Sequence, residues 1–268
     1  MSVGRALLRE DRTMQHSPAG RAAVLLDLDG TLLDGSALPL ALRATGERLA
    51  ALSPGLDPDA FVAAHTAAWR ELWPEVEDEW MLGAGAGGRI ERRAWSEALA
   101  RCGVHDPALV EAAETVHRHS ARLAHRCYPE VPSTLAALRA AGFATAIVTN
   151  GSAELQRAKI EDAGLAGATD LVVVSSEIGA KKPDPAVVEH ALTTLGADPD
   201  GAWIVGDNIW VDVLAGARAG IHTVWVNRDA VQRPVATPVP DLEVRDLAGL
   251  PERLAGLRTR GGSSTRTG

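Results

Sequence analysis

The chain has 268 residues, 46% of them hydrophobic, and carries a formal net charge of −8 from 27 basic and 35 acidic side chains. That length fits one large domain or two small ones, and the acidic balance argues against nucleic-acid or acidic-membrane partners, which need basic patches. No apolar run approaches the roughly 18 residues of a spanning helix. The two cysteines, Cys102 and Cys127, have no metal or redox spacing, so a reduced, cytoplasmic setting is expected.

In chain order, residues 1–20 mix charges into a few apolar positions and lack the continuous apolar stretch of a secretory signal, so they are expected to form a flexible leader. Ala22–Leu28 is the first strand-length apolar run. From Asp34 to Tyr128 no strand is expected. That stretch is rich in Ala, Leu, Arg, Glu and Trp, with breaks near Ser53–Pro58, Gly83–Gly88 and Gly103–Pro107, and it predicts an inserted all-helical domain over 36–127. Alternation then begins. Helices are expected over Ser133–Ala141, Ser152–Ala163, Pro185–Leu195 and Val211–Ala219. Strands are expected over Ala144–Thr149, Leu171–Ser175, Ala202–Gly206 and Thr223–Asn227. The strand runs are apolar on both faces, the mark of a parallel sheet covered by helices on both sides. The expected fold is therefore α/β, a Rossmann-like doubly wound parallel sheet built from 21–35 and 128–250, interrupted by the helical insert. Residues 251–268, ending in RTRGGSSTRTG, are expected to be a flexible tail.

In such a sheet, reactive groups gather at the carboxyl ends of the strands. The first strand ends in Asp27-Leu28-Asp29-Gly30-Thr31 and the second in Thr149-Asn150-Gly151. Lys181-Lys182-Pro183-Asp184 follows the third, and the fourth ends in Gly206-Asp207-Asn208, with Asp212 five residues after Asp207. Clustered carboxylates repel one another and hold their protons unless a cation relieves them, and carboxylate oxygens suit Mg²⁺. A lysine among them does not bind metal. It implies a further anion, and a phosphoryl group is the simplest candidate.

These four segments, in this order and each after a predicted strand, resemble the four motifs of the haloacid dehalogenase superfamily. The insert stands where that family places its helical type-1 cap. The resemblance covers about Ala22 to Asn227 and implies roles residue by residue. Asp27 would be the nucleophile and Asp29 the general acid and base. Thr149, Asn150 and Gly151 would bind the phosphoryl group, and Lys182, before the proline, would neutralise it. Asp27, Asp207 and the main-chain carbonyl of Asp29 would hold Mg²⁺, with Thr31 and Asp212 in support. Dehalogenases of this fold lack an acid two residues after the nucleophile, because a halide leaves without a proton. Asp29 therefore favours a phosphate ester. The implied activity is hydrolysis of a small phosphorylated metabolite. A phosphomutase, which shares these residues, and a phospholigand-binding protein are the rivals, and oligomeric state is left open.

Three other features are read as structural. Gly83-x-Gly85-x-x-Gly88 fits a dinucleotide pattern only on paper, because no strand precedes it. It reads as a cap loop, with Arg89, Arg92 and Arg93 behind it read as a solvated helix face and, as the lesser alternative, as candidates for a second anionic group. His117, His119 and His125 lack zinc spacing. Trp69, Trp73 and Trp80 read as cap packing.

Overall fold

The computed structural model describes residues 21–83 and 85–261, so the expected leader lies outside the described residues. β1 (Ala23–Leu26) is buried throughout, as a strand must be when helices cover both sides of its sheet. β2 (Leu33–Asp34) follows and leads into the insert. Four helices fill the insert among the described residues: α1 (Leu38–Leu52), α2 (Pro58–Leu82), α3 (Gly87–Arg101) and α4 (Pro107–Ala124). α2 and α4 start on one device. The Asp57 and Asp106 carboxylates accept main-chain N–H groups of the first turn, and a proline takes the first helical position. Leu49, Phe61, Trp95, Leu99 and Ala113 form the core of the insert.

β3 (Arg126–Cys127) runs antiparallel to β2, pairing Leu33 with Cys127 and Asp34 with Arg126. This pair corrects the expectation of no strand before Tyr128. It is two residues long, too short for any periodicity, and exists because the two chain crossings of the insert lie side by side. α5 (Val131–Ala140), β4 (Ala144–Thr149), α6 (Ala153–Asp162) and β5 (Leu171–Val174) follow. Next come α7 (Ser175–Ile178), α8 (Pro185–Leu195) and β6 (Trp203–Gly206). A π-helical turn at Ile209–Val213 then leads into α9 (Leu214–Ala219).

β7 (His222–Val226) and the unexpected β8 (Leu242–Val244) complete the sheet. Its order is β5-β4-β1-β6-β7-β8, every pair parallel. Alternate residues feed two cores. Val24, Leu26, Ile147 and Val205 pack on one face, and Ala23, Leu25, Val148 and Ile204 on the other. No helix among the described residues is long and apolar enough to cross a membrane.

The chain beyond 250 departs from expectation. α10 (Leu250–Gly261) is helical, and Leu250 and Leu254 are buried beside Val131, Leu135 and Leu138 of α5. Their i,i+4 spacing puts both on one face, a signal masked by the polar residues after Gly261. Leu254→Ala should cost about 2–5 kcal/mol in urea unfolding, the range for deleting a buried leucine. An unchanged midpoint would contradict the packing of α10 on the core.

Candidate active site

Parallel pairing brings the ends of β1, β4 and β6 together, and the segment after β5 lies beside them. Asp27 follows β1, and its N–H donates to Val205 O at 2.9 Å, which extends the pairing with β6. Lys182 meets it underneath. The Lys182 side chain is only 1% exposed, and its ammonium donates to Asp27 Oδ1 (2.6 Å), Asp212 Oδ1 (2.6 Å) and Val148 O (2.7 Å). A lysine has three N–H donors, and a charge this buried requires all of them to be matched. Lys181, its neighbour, instead pairs with Glu77 and Asp78 of α2.

The Asn150 side chain is committed to the same lysine. Its Nδ2 donates to Lys182 O (2.8 Å) and its Oδ1 accepts from Lys182 N (2.9 Å). Asp212 also accepts from Asn208 N at 3.1 Å, so it fixes both the lysine and the turn after β6. The Gly151 N–H goes to Ser175 Oγ, which in turn donates to Met81 O at the end of α2. Thr31 is buried, and its hydroxyl has no partner among the described residues.

Asp207 closes the other side. Gly30 has φ +80°, and a Cβ there would collide with the Asp207 carboxylate, so both the turn and the close approach require glycine. Oxygens of Asp27, Asp207 and Asp212 lie within 4.8 Å of one another. Burial pushes the Asp27 carboxyl up to about 7. Lys182 opposes this, while Asp212 and Asp207 add to it. Asp207 rises to about 6, through the protein packed around it and then through Asp212. Carboxylates driven toward their protons by burial and mutual charge form a donor set that a hard divalent cation relieves, so the residues fit Mg²⁺.

Asp29 lies apart from that cluster. Its oxygens accept from Lys159 Nζ at 3.0 and 2.8 Å, and Oδ2 accepts from Gln156 Nε2 at 3.0 Å. Burial would raise its pKa, but Lys159 and Gln156 outweigh it and hold the carboxyl below its usual range. Gln156 Nε2 also lies 2.6 Å from Thr149 Oγ1. Because that hydroxyl accepts from Gln156, its own hydrogen is left for another acceptor. Beyond Asp29 the insert and the sheet domain enclose a cavity of about 420 Å³, lined in part by Trp69, Trp80, Trp95, Glu91, Arg118 and Lys159. The start of α3 presses on this region, since a Cβ at Gly87 would collide with Ser152 Oγ. Arg89, Arg92 and Arg93 do not line the cavity. They pair with Glu79, Glu114 and Glu75, in line with a solvated helix face rather than a second anion site. His117 bonds Thr45 and His125 bonds Asp162.

The haloacid dehalogenase-like hydrolase family matches residues 22–220. The chain belongs to that family.

Among relatives of this haloacid dehalogenase-like hydrolase, the phosphoserine phosphatase of Thermus thermophilus is 36% identical over 89% of this chain and 93% of its own. The magnesium-bound hydrolase YfnB of Bacillus subtilis shares 25% identity at a TM-score of 0.66, over 87% and 98% of the two chains. A 2-haloacid dehalogenase of Pseudomonas syringae superposes as well, at 26% identity and a TM-score of 0.68, over 88% and 99%. The fold thus hosts both chemistries. The curated relatives place this hydrolase in the phosphatase-like branch.

Three residues around the site escaped the sequence reading. Gln156 and Lys159, three apart on the helix after Thr149–Gly151, share a face, which was the available signal. Arg228, just past β7, donates to Gly30 O (3.2 Å) and Thr31 O (2.9 Å), pairs with Glu130, and lies 3.3 Å over the Tyr128 ring. Only its place at a strand end hinted at this.

Asp27 and Asp207 have raised pKa values in the fold, so their stability contribution is intact below about 4 and is lost as pH climbs through about 6 to 7. A cation binds the ionised forms. Mg²⁺ should therefore raise Tm little at pH 5 and markedly at pH 8, and Asp207→Asn should remove most of the gain. Equal stabilisation by Mg²⁺ at both pH values would contradict the metal assignment.

Proposed function

We propose that this phosphatase hydrolyses monoesters of small phosphorylated metabolites through an aspartyl-phosphate on Asp27, with Mg²⁺ as its cofactor. The observation that carries the reading is the buried Asp27–Lys182–Asp212 contact, with a second carboxyl, Asp29, two residues from the nucleophile. A dehalogenase or a binding module has no use for that second carboxyl. The acidic cluster and the magnesium-bound relative support the metal.

Asp27 attacks phosphorus, forming an O–P bond while the ester O–P bond breaks. Lys182 offsets the charge of the nucleophile and the phosphoryl group. The Thr149 hydroxyl, oriented by Gln156, donates to a phosphoryl oxygen. Asp29 gives a proton to the departing alkoxide and then takes one from the water that releases phosphate from Asp27. The Lys159 contact favours ionised Asp29, so the acid half of the cycle requires that contact to loosen when an ester enters. When bound by Asp27, Asp207 and the Asp29 main-chain carbonyl, Mg²⁺ supplies the positive charge that lets an anionic ester approach a carboxylate.

Release of p-nitrophenol from p-nitrophenyl phosphate, with Mg²⁺ and with EDTA, tests this. Turnover should need Mg²⁺, fall by roughly 10⁴-fold or more in Asp27→Asn, and fall by about 10²–10⁴-fold in Asp29→Asn. Sustained turnover by Asp27→Asn would sink the reading.

A further inference from the structure

Lys159 is the cation beside the general acid, and neither motif chemistry nor metal binding calls for it. It projects from α6 one turn after Gln156, its side chain is 22% exposed, and it lines the cavity between insert and sheet. Two of its three N–H donors meet Asp29, and no other acceptor takes the third among the described residues.

An ester oxygen protonated by Asp29 must lie within about 3 Å of that carboxyl. The Lys159 ammonium lies at 2.8–3.0 Å on its own side of the same carboxyl. With the contact as it stands here, an ester oxygen and the ammonium would be at most about 6 Å apart, and a substrate carboxylate that takes the ammonium is what would loosen it from Asp29. A carboxylate carried on the ester carbon, or on the next one, spans that gap with one charge-assisted hydrogen bond. Of the cavity's other carboxylates, Glu114 is paired with Arg92, and Asp162 with Arg122 and His125. Arg118 lines the same cavity and makes no ion pair or hydrogen bond among the described residues. Burial holds the nearby Glu91 carboxyl at about 7, against the pull of Arg118 and Lys159, so it repels an anion weakly.

We infer that Lys159 is a specificity-determining residue that reads a carboxylate at or beside the ester carbon, making small phosphorylated hydroxy acids the substrate class of this site. The inference rests on the phosphatase reading above.

The test compares phosphoglycolate with 2-hydroxyethyl phosphate, in which a hydroxymethyl group replaces the carboxylate. The wild type should prefer phosphoglycolate by at least about tenfold in kcat/KM, the size of one charged hydrogen bond. Lys159→Met should erase that preference, mainly through KM for phosphoglycolate, and Lys159→Arg should keep it. A wild type without the preference, or a Lys159→Met variant that slows both esters equally, would overturn the inference and show that Lys159 serves Asp29 alone. Calorimetry on Mg²⁺-loaded Asp27→Asn, with and without Lys159→Met, separates the two readings. A binding preference for phosphoglycolate that needs Lys159, together with a wild type that turns over neither ester, would uphold the carboxylate reading and sink the phosphatase one. Turnover without that binding preference would do the reverse.

Discussion

A fully buried ammonium is the constraint around which this molecule is built. Removing one acceptor from Lys182 would leave an uncompensated charge where water does not reach. Asp27, Asp212 and Val148 O must therefore stay where they are, and the elements that carry them must too. β1 delivers Asp27, the end of β4 delivers Val148 O, and the turn after β6 delivers Asp212. The Asn150 side chain grips the lysine's own main chain. The parallel sheet is the scaffold that lets four distant segments meet at one nitrogen. Asp27 is thereby fixed in direction, while Asp207 and Asp212 keep it in a negative field suited to a cation.

Around this fixed centre, the insert meets the sheet domain through contacts of another kind. Gly151 N–H, Ser175 Oγ and Met81 O form a chain from the β4 loop to the end of α2. Lys181 pairs with Glu77 and Asp78 on the same helix, and these pairs are partly solvated, so each is weak. Arg228 ties the Gly30–Thr31 loop to Glu130 and Tyr128, next to the β2–β3 pair where the chain enters and leaves the insert. The centre is thus held by buried charge, and the insert by partly solvated pairs and the short β2–β3 pair.

The parts legible in the sequence were those with a local signature. Apolar runs of strand length marked β1 and β4 to β7, because burial on both faces leaves an unbroken apolar word. Asp29, Asp207 and Lys182 were legible because they stand after predicted strands beside glycine or proline, and Asp27 and Asp212 through the motifs that they share with them. Lys182 was separable from Lys181 only through its neighbour Pro183. What escaped depends on partners far along the chain. β3 is a strand only because Leu33 and Asp34 lie beside it, and β8 only because β7 offers an edge. Gln156 and Lys159 look like solvated helix residues until Asp29, 127 and 130 residues away, comes into contact. For Arg89, Arg92 and Arg93 the solvated face was legible, but nothing local showed that Glu79, Glu114 and Glu75 would take them.

The central claim is that Asp27 itself carries the phosphoryl group. The direct measurement is rapid acid quenching of the Mg²⁺-loaded enzyme during turnover of a phosphate monoester, followed by mass spectrometry of the peptide that spans Asp27. The account predicts an added phosphoryl group on that peptide, localised to Asp27 and absent from Asp27→Asn. Steady turnover with the phosphoryl group on another side chain would contradict it.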